Sequence, residues 1–181
     1  MKTFTIQHYN ELPSTNTMAQ QQEAQGAEDG LVIVADYQSE GRGKPGREWV
    51  SPAGKNLLFS ILLRPDIAPH EAPMITQTAG RSVAKVLETH GIESTFKRPN
   101  DIMVNGKKIC GVLVESSSTG DKINSIIIGI GLNVNAPAKE LVPEAASMKE
   151  LKGREFDREK ILQEILDQLR EDLKGLYDRP S

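Results

Sequence analysis

The chain has 181 residues, 38% of them hydrophobic and 26% charged, with a formal net charge of -3. That length supports one ordinary domain with its own core, and the negative balance excludes a general nucleic-acid binder, which needs a basic face. The lone cysteine, Cys110, excludes an internal disulfide framework and a cysteine-based zinc site.

The opening residues MKTFTIQHYN lack the apolar centre of a signal peptide, and no apolar run approaches membrane-spanning length. A cytoplasmic protein with no membrane partner is therefore expected. Ser14-Thr15-Asn16 offers capping side chains ahead of a short helix from Met18 to Gln25, which Gly26 can end. Leu31 to Tyr37 (LVIVADY) is β-branched and apolar and reads as a buried strand. A glycine-rich basic stretch from Gly41 to Arg47 follows, and Leu57 to Leu63 (LLFSILL) is a second strand. Ile75, Ala79, Val83, Val86 and Leu87 fall at helical spacing, with Gly91 where a C-cap glycine belongs. A short strand near Glu93 to Lys97 leads to a hairpin with arms Asp101 to Val104 and Lys107 to Glu115. Its turn, Asn105-Gly106, is the pair favoured in type I′. Ile123 to Val134 supplies a further strand. In the last helix Asp157 is the N-cap, Phe156 staples onto Ile161, and Leu162, Ile165, Leu166, Leu169, Leu173 and Leu176 continue one apolar stripe. Strands in the middle with helices between and after them give an α+β fold, a mixed or antiparallel central sheet flanked by helices, in one domain spanning 1–181.

Gly41-Arg42-Gly43-Lys44-Pro45-Gly46 matches the dinucleotide fingerprint G-x-G-x-x-G letter for letter. The context contradicts the match, because that fingerprint must open a helix and here Pro45 removes an N–H and Trp49 to Gly54 continues as loop. A Walker A reading fails too, since Arg47-Glu48 stands where Lys-Ser/Thr is required. What remains is a loop carrying Arg42, Lys44 and Arg47. Three cations can collect phosphate oxygens, and Trp49 can stack on a base or cap an apolar ligand. A solvated basic loop with its tryptophan tucked into the core fits the composition equally well.

Four blocks in order separate these readings. GRGKPGREWVSPAGKNLLFSILLRP resembles the biotin-binding signature of biotin–protein ligases, KRPNDIMVNGKKICGVLVE their second block, and GIGLNVN their Gly-x-Gly-x-Asn element. Upstream, Ser14-Thr15-Asn16 and Tyr37-Gln38 resemble the family's short Ser-Thr-Asn and Gln elements. The resemblance runs from about Ser14 to Asn135 and implies a fold like the catalytic domain of biotin ligases and class II aminoacyl-tRNA synthetases. It implies an enzyme that uses ATP to make biotinyl-5′-AMP and then transfers biotin to a lysine of a biotin carboxyl carrier protein. Mg²⁺ is inferred from the ATP chemistry.

The resemblance also assigns residues. Lys108 stands beside the biotin carboxylate and the phosphate, where two anions must be held together. Lys107 is the neighbouring alternative, pointing to the opposite strand face. Arg42, Lys44 and Arg47, on the loop with Gly41 and Gly43, close over the adenylate, with Trp49 against the adenine. Ser14, Thr15, Asn16 and Gln38 line the biotin side, Gly111 and Gly129 admit the ring, and Asn133 lies near the nucleotide. Asn100 and Asp101 follow Pro99; Asp101 either helps bind Mg²⁺, accepts a proton from the attacking lysine, or simply starts the hairpin.

Two positions depart from the family pattern: Arg98 replaces the usual tryptophan, and Lys44 replaces an arginine, keeping charge but losing bidentate geometry. An N-terminal helix-turn-helix and a C-terminal β-barrel domain are both expected to be absent, with no operator binding; a homodimer is allowed. Two other functions compete. One is a lipoate or octanoate ligase or transferase, whose Arg-Arg and triple-glycine signature is missing here. The other is a non-catalytic module that binds biotin or biotinyl-AMP.

Overall fold

Side chains alternate across a pleated strand, and in β3 (Leu57–Leu63) the alternation serves two cores. Leu57, Phe59, Ile61 and Leu63 join the larger buried cluster, and Leu62 joins a smaller one on the opposite face. The computed structural model describes residues 3–43 and 46–176, apart from the side chain of Leu176. Strand β1 (Thr5–Leu12), helix α1 (Thr15–Ala24) and strand β2 (Leu31–Gln38) come first in the chain. After β3 come helix α2 (Ala72–Thr89) and strands β4 (Thr95–Lys97), β5 (Asp101–Val104), β6 (Lys107–Thr119) and β7 (Lys122–Leu132). Helices α3 (Met148–Lys152) and α4 (Arg158–Leu173) close the fold.

The seven strands form one sheet in the order β1-β2-β3-β7-β6-β5-β4. Only β1 and β2 run parallel, joined through α1; every other pair is antiparallel. Helices α2 and α4 bury Ile75, Ala79, Val83, Leu87, Ile161, Ile165 and Leu169 against one face. On the other face α1 covers β2, β3 and β7 through Ala19 and the neighbouring Leu31, Ile33 and Ile127. Beyond α1 that second face stays open over β5 and β6.

The α+β class and the mixed sheet agree with the sequence reading, and β3 has the expected bounds. Strand β1 and helix α3 were not anticipated. Helix α1 starts three residues earlier than expected because Ser14 itself is the N-cap, its Oγ accepting from Thr17 N–H. Asp157 caps α4 as expected, accepting from the N–H groups of Glu159 and Lys160. The helix ends at Leu173, and Leu176 falls in a following 3₁₀ turn. Asn105 and Gly106 both take positive φ, 50° and 77°, as a type I′ turn requires. Among the described residues no helix is long and apolar enough to cross a membrane.

Candidate active site

The open part of the second face is floored by positions without side chains. Leu58, Gly131, Gly111 and Asp101 are successive cross-strand partners on β3, β7, β6 and β5, and Ser60, Gly129 and Leu113 form the next row. Directly opposite residues in an antiparallel sheet point to the same face, so the glycines open a trough between Leu58 and Asp101. A cavity sits in it, bounded by the start of α1, the end of β2, the glycine loop and the β5–β6 hairpin.

One wall is polar and densely bonded. Gln38 Oε1 accepts from Thr15 N–H at 2.7 Å and from Thr15 Oγ1 at 3.0 Å. Ser60 Oγ lies 2.7 Å from Thr15 Oγ1 and 2.5 Å from Asn16 Oδ1, and Asn16 Nδ2 donates to Glu115 Oε2 at 2.7 Å. Ser14, Thr15, Asn16 and Ser60 are all buried. Buried polar groups need partners, and this cluster supplies them internally while presenting its edge to the cavity.

The opposite end carries the charge. Lys108 Nζ lies 2.8 Å from Asp101 Oδ1 and 5.3 Å from the centre of the Trp49 ring. Strict alternation from Gly111 would send residue 108 to the far face, into the apolar core. A β-bulge prevents this: Ile102 pairs with Cys110, but Met103 pairs with Lys108, so Ile109 is an extra residue on β6. Ile109 and Cys110 consequently both enter the larger core, and Lys108 turns back into the cavity. Lys107 instead is exposed and borders a different groove. Burial pushes the Cys110 thiol well above its ordinary range, Lys108 opposing and Asp101 reinforcing the shift, so it stays neutral.

The described residues of the glycine loop lie over the trough and none of them is helical. Trp49 N–H donates to Gly41 O at 2.8 Å and Gly43 N–H donates to Arg47 O at 3.0 Å, which sets the backbones of Arg42 and Glu48 opposite each other in an isolated antiparallel bridge. The Trp49 ring rests on the floor: a Cβ on Gly131 would come within 2.7 Å of the indole. Trp49 Nε1 and Asn100 Oδ1 are buried without hydrogen-bond partners among the described residues. The Arg42 guanidinium donates to Glu115 through both terminal nitrogens, Nη1 and Nη2, at 3.0 and 2.8 Å.

Of the residues expected from sequence, Ser14, Thr15, Asn16, Gln38, Arg42, Gly43, Arg47, Trp49, Asn100, Asp101, Lys108, Gly111 and Gly129 all line this one cavity. Lys44 lies outside the described residues. Gly41 does not line it but is buried, and a Cβ there would collide with the Trp49 carbonyl. Asn133, expected near the nucleotide, is not among the residues that line the cavity. Its Oδ1 accepts from Asn56 Nδ2 and its Nδ2 donates to Ala146 O, so the side chain is spent on holding the segment after β7. Arg98 is exposed and borders a neighbouring groove with Pro99 and Asn100. Ser60, Glu115 and Gly131 were missed. Ser60 had a signal, as the one polar residue in an apolar strand; Glu115 closed the second block and was given no role.

The model of the biotin/lipoate A/B protein ligase family matches residues 10–133, more than half of the chain and the whole of this cavity. The chain belongs to that family. Among family members, the bifunctional ligase/repressor BirA of Bacillus subtilis is 37% identical over 164 residues, covering 88% of this chain and 50% of the relative. The biotin–[acetyl-CoA-carboxylase] ligase of Mycobacterium tuberculosis is 32% identical over 162 residues, 86% of this chain and 59% of the relative. The structure of biotin protein ligase from Aquifex aeolicus in complex with biotin and ATP superposes with a TM-score of 0.80 at 31% identity. It covers 97% of this chain and 72% of that one. The chain spans about half the length of the curated family members it matches.

Proposed function

We propose that the chain joins biotin to AMP at the expense of ATP and then transfers biotin to a lysine of a biotin carboxyl carrier protein. The observation that carries this reading is the aim of Lys108. The bulge turns its ammonium into a cavity whose other end is a buried wall of amide and hydroxyl groups. Such a wall suits the donor and acceptor edges of a ureido ring, and the cation suits the place where two anions must meet.

In the first half-reaction a biotin carboxylate oxygen forms a bond to the α-phosphorus of ATP, and the bond to the β-phosphate oxygen breaks with loss of pyrophosphate. Lys108 offsets the charge that gathers there, and Arg47 faces the same space. In the second, the carrier lysine amine attacks the acyl carbon and the bond to AMP breaks. Asp101, 2.8 Å from Lys108, is the carboxylate able to receive the proton that the amine gives up.

Mg²⁺ fits this donor set on one condition, that the phosphates supply most of its ligands. Among the described residues no group of three or more His, Cys, Asp or Glu side chains could hold a metal ion. Asp101 and the unpartnered Asn100 Oδ1 give two neighbouring oxygens, which is what Mg²⁺ takes from protein in phosphate chemistry. Bound there, it would supply positive charge to the phosphates.

The test is pyrophosphate release on mixing with ATP and biotin, followed by the mass shift of a purified carrier domain. Lys108→Ala is expected to lower adenylation about 100- to 1,000-fold, the usual loss for one electrostatic stabiliser. Turnover with octanoate but not biotin would assign the lipoate side of the family, and biotin binding without turnover would make the chain a binding module.

A further inference from the structure

Glu115 has no part in the chemistry above, yet three separate segments meet at its carboxylate. Oε1 accepts from Arg42 Nη1 at 3.0 Å; Oε2 accepts from Arg42 Nη2 at 2.8 Å and from Asn16 Nδ2 at 2.7 Å. Arg42 belongs to the glycine loop, Asn16 to the first turn of α1, and Glu115 stands on β6 opposite Ile127, on the cavity face. A two-pronged arginine–carboxylate pair fixes orientation as well as attracting. Backbone bonds from Ser39 to Leu12 and from Glu40 to Pro13 hold the chain entering the loop, Trp49 seats its far end on the floor, and the Gly41–Trp49 and Gly43–Arg47 backbone bonds are internal to it; the Arg42–Glu115 pair ties the stretch between to β6. Glycines give such a segment little conformational preference of its own, so a side-chain tether helps to fix where the stretch around Arg42 lies.

We infer that Glu115 is a positioning residue for the ligase reaction. It anchors the Arg42 guanidinium and the Asn16 amide, fixes the stem of the glycine loop over the trough, and leaves phosphate contact to Lys108 and Arg47. Arg42 is then a strut, a different role from the closing over the adenylate that the resemblance implies for it. The inference deepens the biotin ligase reading and rests on it.

The experiment uses the full chain with Glu115→Gln, Arg42→Gln and the double variant. Two quantities are read: hydrogen exchange of the 41–49 amides without ligand, and steady-state pyrophosphate release with biotin varied. Each single variant is expected to speed exchange in the loop about tenfold and raise KM for biotin about tenfold. The value of kcat should stay within about threefold, the pattern of lost uniform binding. The double variant should match the singles, because both remove one tether.

Three results would overturn the inference: a kcat loss near 100-fold in Arg42→Gln alone, which would mean that Arg42 touches the phosphate; wild-type exchange and KM in Glu115→Gln; or faster exchange across the whole sheet, which would make Glu115 merely structural. Should the wild type release no pyrophosphate, the ligase reading fails, and the exchange comparison still decides whether the tether exists.

Discussion

Replacing Gly129 with alanine puts a methyl group where Asn16 Oδ1 now sits. The backbone of β7 is extended there and accepts alanine, which by itself favours a strand over glycine by about 0.5–1 kcal/mol. Asn16 cannot step aside freely, because it is tied to Ser60 Oγ at 2.5 Å and to the Glu115 carboxylate at 2.7 Å. Displacing it forfeits one neutral hydrogen bond worth about 1 kcal/mol and one to a charged group worth about 1.5–3 kcal/mol. The balance is a net loss of about 1.5–3.5 kcal/mol, or about 3–14 °C in Tm for a domain of this size. Calorimetry of Gly129→Ala, Asn16→Ala and the double variant tests the cause. With Asn16 already truncated the methyl has room, so the double variant should be no less stable than Asn16→Ala alone. Losses that simply add, or an unchanged Tm in Gly129→Ala, would refute the account.

Gly131→Ala should behave differently, because its new methyl meets the Trp49 ring. The ring can tilt outward with its loop, so Tm should stay within about 2 °C, while the fluorescence of the chain's one tryptophan shifts red and affinity for biotin falls. Asp172 gives a pH signature. Burial raises its carboxyl, but hydrogen bonds from Lys85, Ser82 and Gln168 outweigh this and hold it below the usual carboxylate range. A depressed folded-state value stabilises above the unfolded value near 3.9 and is lost as pH falls through the folded one. The Tm deficit of Asp172→Asn should therefore be full at pH 7 and vanish in strong acid. Cys110, buried and held neutral, should resist iodoacetamide in the native protein and react only after denaturant is added.

Much of the site was legible because its residues cluster in short runs: the glycine loop, the hairpin and the Ser-Thr-Asn turn each carry a local pattern. What escaped depends on contacts across the sheet. Strand β1, TIQHYNEL, shows no clean apolar alternation because it is an edge strand whose side chains are exposed or half-buried but for Leu12, and its parallel pairing with β2 defines it. Helix α3 is five residues long, too short for periodicity to register. Asn133 has a motif position, and its bonds to Asn56 and Ala146 are visible only once the chain folds back. The bonding of Glu115 to Arg42 joins residues 73 apart.

The bulge at Ile109 ties the aim of Lys108 to a count of residues along β6. A lysine one place out of phase would face Ile102 and Val112, where hydrocarbon would strip its hydration and favour the uncharged amine. Regular pairing with Ile109 kept in line would thus leave the lysine's letter in the chain and remove its charge from the place where it is wanted, whereas deleting Ile109, the extra residue, would restore the alternation and leave the lysine on the Gly111 face. In this fold the bulge that absorbs one inserted residue works as a rotary setting.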